Sequence, residues 1–164
     1  MRFLLLILLY SIFFTACKPS GKSAAQYNNS IVRYQSRIGA LQMELFTVYA
    51  SGNVEEMRQL LDKFRYELRA VSDSIALLPP FDGKDDFKKS ALVYIDQLKV
   101  VLDSECVSVL KLYQLPDTSY HPEEEQKVQG MIKSINDKTS KALDDLKIQQ
   151  QKFAAEYNFE ISEN

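Results

Sequence analysis

The chain has 164 residues, with 20 Lys or Arg and 22 Asp or Glu, which gives a formal net charge of −2. This length suits one domain of ordinary size, long enough to bury a core without the help of disulfides or metals. The mildly acidic balance argues against nucleic acid as a partner and against broad electrostatic adhesion to anionic lipid.

The N-terminal segment has the layout of a signal peptide. Arg2 supplies a positive charge, and about a dozen mostly apolar residues follow, which is too short a run to span a bilayer. The run ends on Phe14-Thr15-Ala16-Cys17, which resembles a bacterial lipobox, where the Cys thiol receives diacylglycerol before cleavage. The sequence therefore predicts a cleaved signal peptide over residues 1–16 and lipid attachment at Cys17. The alternative is an ordinary secretory signal with a coincidental cysteine.

Processing at this site would leave a mature chain attached through its lipid. Loss of the one charge of Arg2 moves the net charge from −2 to −3, so attachment depends on the acyl chains on Cys17, of which two or three anchor a protein stably. Residues 17–22 are then a short tether, which reaches only about 20 Å when extended. We expect the following domain to stay close to its membrane.

Two uninterrupted apolar stripes predict the first two helices, over residues 23–51 and 53–79. In each, apolar residues recur in alternating steps of three and four, which places them on the single face that bundle packing requires. The stripes are Ala24, Tyr27, Ile31, Tyr34, Ile38, Leu41, Leu45 and Val48, and then Val54, Met57, Leu61, Phe64, Leu68, Val71, Ile75 and Leu78.

The residues between these stripes mark the helix ends. Ser23 and Asn53 are predicted N-caps, Gly52 suits a left-handed residue that ends the first helix, and Pro79-Pro80 ends the second. Because the link between the two helices is so short, they are expected to be antiparallel neighbours.

Two further helices are predicted over residues 83–114 and 122–157. Asp82 or Gly83 opens the third, and Pro122 takes the first position of the fourth, ahead of Glu123–Glu125, whose charges favour a helix start. Their inward residues are Phe87, Ala91, Tyr94, Ile95, Leu98, Val101, Leu102, Cys106, Val109 and Leu112, and then Val128, Ile132, Ile135, Thr139, Ala142, Leu146, Phe153 and Tyr157.

No segment alternates convincingly with a period of two, so we expect no sheet. The predicted fold is all-α, an up-down-up-down four-helix bundle over residues 23–158 with a short tail at residues 159–164. The stripe of the fourth helix is weak at Thr139 and Ala142. These small residues either admit a bulky side chain from an opposite helix or leave a cavity.

Residues that carry chemistry are few. The single histidine, His121, is predicted to be a cap or surface residue, and Cys106 lies among apolar residues, where it is expected to be a buried, inert thiol. Glu105 is expected to bond Lys or Arg on a neighbouring helix or to reach solvent. With no zinc, di-iron, haem, phosphate-loop or nucleophile motif, the sequence predicts no enzyme and no cofactor.

Interaction residues are predicted among apolar side chains that lie off the stripes. Met43 and Tyr66 fall outside them, and Phe81 lies in the link between the second and third helices. Tyr66 and Phe81 are the predicted contacts with a partner, because interfaces depend on a few aromatic anchors.

Three short stretches carry a family resemblance. They are Tyr27-Asn28-Asn29-Ser30-Ile31-Val32 with Gln35, Pro80-Phe81-Asp82-Gly83, and Phe153-Ala154-Ala155-Glu156-Tyr157-Asn158-Phe159. Together they resemble a family of small surface lipoproteins from spirochaetes and the Bacteroidota. The resemblance implies a lipid-anchored helical domain and brings no catalytic residues with it.

These expectations combine into a predicted role. The chain is predicted to be a bacterial envelope lipoprotein, a non-enzymatic binding or structural module with an envelope protein as its possible partner. The alternative is a ligand-binding bundle with an apolar cavity. Lys18 lacks the acidic character that marks retention in the inner membrane, so the outer membrane is predicted, and the sequence leaves open which side the domain faces.

Overall fold

The computed structural model describes residues 19–161, which form four helices packed around one hydrophobic core. In chain order these are α1 (Gly21–Ser51), α2 (Val54–Ala76), α3 (residues 86–113) and α4 (Pro122–Tyr157). Each helix packs against the next one along the chain, and α4 closes the bundle against α1. The predicted all-α, up-down-up-down four-helix bundle is confirmed.

The core is made largely of the predicted stripes, although at the end of α1 the buried residue is Tyr49 and the predicted Val48 is only partly buried. Steps of three and four residues turn side chains from all four helices toward the interior. The most deeply buried of them, each at most 2% exposed, are Ile31, Ile38, Leu45, Met57, Leu68, Val71, Ile75, Ile95, Leu102, Val109, Val128 and Ile135. Burial of each such side chain contributes about 1.5–3 kcal/mol. Among residues 19–161, no helix has the length and apolar character needed to cross a membrane.

Helix α1 begins two residues before its predicted start. Its N-cap is Ser20 and not Ser23, because the Ser20 hydroxyl accepts the backbone N–H of Ser23 at 3.3 Å. The other end agrees with the prediction, since Gly52 has a left-handed φ of 68°. Asn53 caps α2 as predicted, and its side chain accepts the N–H of Glu56 at 3.2 Å.

Helix α2 ends at Ala76, before the predicted end at residue 79. A residue that precedes proline is disfavoured in the helical region, and neither Pro79 nor Pro80 has an N–H to donate. The last turn tightens instead, and the N–H of Leu78 donates to the carbonyl of Ile75 at 3.1 Å.

Helix α3 begins at Asp86, and the predicted start at Asp82 or Gly83 is wrong. Both residues have positive φ, 54° and 72°, which a right-handed helix cannot use. They form the centre of a tight turn, in which the backbones of Phe81 and Lys84 exchange hydrogen bonds of 2.8 and 2.9 Å. Asp-Gly is a favoured pair for such a turn because glycine and aspartate tolerate positive φ.

The middle of α3 widens into a π-helical segment, Leu102–Cys106. Here the N–H of Val107 reaches the carbonyl of Leu102, five residues earlier, whereas an α-helix uses a step of four. Tyr49 of α1 donates its hydroxyl to the carbonyl of Cys106 at 3.3 Å, which gives that carbonyl a partner outside its own helix. The segment therefore ties α3 to α1.

Candidate functional site

One end of the bundle gathers the most distinctive side chains, and we call it the Gly21 end. It holds the start of α1, the connection between α2 and α3, and the end of α4. The approach is close, because a Cβ atom placed on Gly21 would lie 3.0 Å from the carbonyl oxygen of Tyr157 and 3.1 Å from that of Asn158. The opposite end, at the α1–α2 turn, we call the Gly52 end.

An aromatic cluster fills the Gly21 end, with Phe153 of α4 at its centre. The ring of Phe153 stacks on Phe87 at a centroid distance of 5.1 Å and meets Phe81 edge to face at 5.4 Å. Tyr27, Tyr157 and Phe159 surround it at 5.8, 5.0 and 5.8 Å. Such ring pairs add about 0.5–1.5 kcal/mol each to the stabilisation from buried area.

Phe81 therefore belongs to the packing of this end and is less exposed than expected, while its role as a contact with a partner stays a prediction. It is half-buried, with ring centroids 5.2 Å from Tyr27 and 4.9 Å from Tyr157. Tyr66 and Met43 are exposed as expected, at 69% and 74%. Of the two predicted interaction residues, Tyr66 is accessible and Phe81 is largely covered.

Polar groups border the cluster. The Tyr157 hydroxyl donates to Asp82 at 3.2 Å, and Lys84 forms an ion pair with Glu156, so the α2–α3 connection is tied to the end of α4. An open cavity of about 240 Å³ lies beside these groups. Within the described residues, the buried hydroxyl of Tyr27 has no hydrogen-bond partner. Its pKa is raised mainly by burial and to a smaller extent by the nearby negative charge of Asp85.

A second surface feature, missed by the sequence analysis, is an open groove between α3 and α4. Val93 and Val100 line it and are 54% and 66% exposed, and Ala142 lies at its base. The groove has a volume of about 480 Å³ and charged residues at its edges, including Lys141 and Asp145, which pair at 2.9 Å. The seven-residue spacing of the two valines, away from the buried stripe, is the signal that could have found it.

The interior beside Thr139 is packed. The Thr139 hydroxyl accepts the side-chain N–H of Gln42 at 2.7 Å and itself donates to the carbonyl of Asn136 at 3.2 Å. The void next to these groups measures about 10 Å³, roughly the space one water needs. Thr139 thus makes a polar contact inside the bundle, whereas Ala142 lies at the base of the groove on the outside.

Cys106 and Glu105, the two candidate reactive residues, are held in packing and in an ion pair. Cys106 is 2% exposed, and burial raises the pKa of its thiol to about 11. Glu105 pairs with Lys138 of α4, as expected. Burial opposes the change, but this ion pair and the Ser104 hydroxyl together lower the pKa of Glu105.

His121 lies at the N-cap position of α4. Its backbone N–H donates to the Glu124 carboxylate at 3.2 Å. Between residues 19 and 161, no group of three or more His, Cys, Asp or Glu side chains is arranged to hold a metal ion. The predicted lipid-attachment residue, Cys17, lies outside the described residues.

No protein-family model, curated protein or solved structure matches this chain.

Proposed function

We propose that this protein is a bacterial lipoprotein, held in the outer membrane by acyl chains on Cys17 and acting as a non-enzymatic binding or structural module. The observation that carries the proposal is the apolar signal segment that ends on Phe14-Thr15-Ala16-Cys17. Helix α1 begins at Gly21, only four residues after the cysteine, which supports a domain held directly against the membrane.

The surroundings of the candidate reactive groups support a role without catalysis. Cys106 is buried with a raised pKa, and Glu105 is paired with Lys138. The backbone of His121 takes part in the start of a helix. A catalytic base or nucleophile is expected instead to be accessible and placed beside a second reacting group.

The α3–α4 groove favours a binding role over a purely structural one. Its exposed valines form an apolar strip, and exposed apolar patches bordered by polar residues are typical of interaction sites. The interior beside Thr139, with its void of about 10 Å³, gives no support to the alternative of a small ligand held inside the bundle. We therefore propose an envelope protein as the partner.

Replacement of the cysteine tests the anchor. Cys17→Ser should remain unprocessed or appear in the soluble fraction, whereas the wild-type protein should fractionate with membranes as a mature form. Cys106→Ala is the matched control and should behave as the wild type, since its thiol is buried. A mature Cys17→Ser protein that still partitions with membranes would contradict the proposal.

A second experiment tests the binding role. Wild-type protein, Tyr66→Ala and Val100→Asp should each be used to capture partners from solubilised envelopes. All three should fold equally well, because residues 66 and 100 are 69% and 66% exposed. Selective loss of a captured envelope protein with either variant would locate the contact, and equal capture by all three would place the contact elsewhere.

A further inference from the structure

The connection between α2 and α3 exposes apolar side chains at the Gly21 end. Residues 77–81 read Leu-Leu-Pro-Pro-Phe, with no polar residue among them. Leu77 is 84% exposed, and Pro79 and Pro80 are also exposed. A single exposed leucine is ordinary, but a continuous apolar segment at one end of a bundle is a candidate contact surface.

The backbone donors of this segment need no bond to water. The amides of Leu77 and Leu78 donate back into α2, at 3.1 Å each, and the amide of Phe81 donates to the carbonyl of Lys84 at 2.8 Å. Residues Pro79 and Pro80 have no N–H at all. Every N–H between residues 77 and 81 is therefore absent or already satisfied, so the segment can leave water without losing a donor's hydrogen bond.

Its position matches that of the lipid. Cys17 precedes Gly21 by four residues, about 14 Å of extended chain, so acyl chains on Cys17 would enter the bilayer at this same end. Among the charged groups nearby, Lys84 pairs with Glu156 and Lys89 with Asp85, while Lys88 donates to the carbonyl of Leu78 at 3.1 Å. Since residues 77–81 carry no charge themselves, a contact made by their side chains would be apolar.

We propose that residues 77–81 form a second contact with the bilayer, in which Leu77, Pro79 and Pro80 enter the interfacial layer of the membrane. The proposal rests on the lipid anchoring proposed above. An anchor and a second contact together hold the bundle in one orientation, whereas a single flexible tether lets it swing. The Gly52 end then points away from the membrane.

The chain has no tryptophan, so a single introduced tryptophan reports on its own surroundings. The full-length protein with Leu77→Trp is produced in a bacterium that processes lipoproteins, and its acylation is verified by mass. It is then inserted into vesicles of phosphatidylethanolamine and phosphatidylglycerol, with or without brominated acyl chains. We expect a blue-shifted emission that loses most of its intensity in brominated vesicles.

Met43→Trp is the matched control. Residue 43 is also exposed, at 74%, and lies 22 residues along α1 from Gly21, about 33 Å at the helical rise. Its emission should be the same in both kinds of vesicle. The quenching of Leu77→Trp should also persist at high salt, because screening weakens a contact through charges but not an apolar one.

The outcomes separate the two proposals. Unquenched Leu77→Trp in an acylated protein would overturn the membrane contact and leave the anchor in place. Equal quenching at both positions, or quenching that high salt removes, would also overturn it. A protein whose mass carries no acyl groups would overturn both proposals.

Discussion

The two ends of the bundle are built from different side chains. The Gly21 end holds the aromatic cluster around Phe153, whereas the Gly52 end has a two-residue turn and a polar connection with one stacked pair, Tyr113 and Tyr120, at 6.0 Å. Helix lengths explain the contrast. Since α1 has 31 residues and α2 has 23, α2 stops eight residues short (31 − 23), about 12 Å, and the α2–α3 connection and its rings fill that space.

The difference shows that packing at one end depends on a connection and not on helices alone. Phe81 comes from a turn and completes a cluster that α1 and α4 begin. At the Gly52 end, Tyr120 instead donates its hydroxyl to Glu125 at 2.6 Å, close to solvent. Substitutions at the Gly21 end should therefore cost more stability than comparable ones at the Gly52 end.

The largest expected effect is that of Phe153→Ala. This ring is 8% exposed and contacts five others, so its loss should lower the free energy of unfolding by about 3–5 kcal/mol. Tyr120→Ala, which removes one stacked ring and one hydrogen bond, should cost about 1 kcal/mol. Urea unfolding of the two variants measures both values, and equal losses would refute the contrast between the ends.

A smaller effect is expected where polar groups join α1 to α4. Near the Gly21 end, Gln150 donates its side-chain N–H to Asn28 at 2.9 Å, and both residues are buried. Gln150→Leu should cost about 1–3 kcal/mol, because it leaves a buried carbonyl oxygen of Asn28 without its donor. Gln42→Leu should cost less, since Thr139 keeps its bond to Asn136.

The double substitution Asn28→Leu with Gln150→Leu provides the control. Replacing both partners with apolar groups leaves no unsatisfied atom, so the double variant should recover most of the stability lost in Gln150→Leu. A double variant less stable than the single one would indicate that the pair has a packing role beyond its hydrogen bond. Thermal unfolding of the three proteins measures this.

Two glycines of α1 should respond with opposite signs. Gly21→Ala places a methyl group 3.0 Å from the carbonyl oxygen of Tyr157 and should destabilise the Gly21 end by about 1 kcal/mol. Gly39 has open space around it inside the helix, so Gly39→Ala should stabilise by about 0.5–1 kcal/mol. A Gly21→Ala protein at least as stable as the wild type would show that the close approach of α1 and α4 is not a constraint.

The smallest effect is kinetic and concerns Cys106. Because burial raises the pKa of its thiol to about 11, little thiolate forms near neutral pH, and the thiol should react slowly with an alkylating reagent. The rate should increase as the pH rises toward that value, and unfolding in urea should abolish the protection. The measurement uses Cys17→Ser protein, so that Cys106 is the only thiol.

The helices could be predicted because periodic burial is a local signal, and Leu61 through Ile75 illustrate it on α2. The buried pair of Asn28 and Gln150 could not, because a polar residue at an inward position looks exposed until its partner on a distant helix is known. The partial burial of Phe81 was missed for a similar reason. A ring in a Pro- and Gly-containing connection is covered only because α1 and α4 extend past α2.

The candidate site is the part of the molecule that local sequence patterns predict least well. Exposed Leu77 belongs to the apolar stretch that ends α2, and its position at the Gly21 end follows only from the antiparallel arrangement. The π-helical segment of α3 likewise leaves no trace in the apolar spacing, since Leu102 and Cys106 remain four residues apart.

The mass of the mature N-terminal peptide shows whether a lipid is attached beside the Gly21 end, and both the proposed anchor and the proposed membrane contact depend on that lipid. We expect a peptide that begins at Cys17 and carries diacylglycerol on its sulfur. A peptide that begins elsewhere, or one that contains residue 17 with an unmodified thiol, would contradict this expectation.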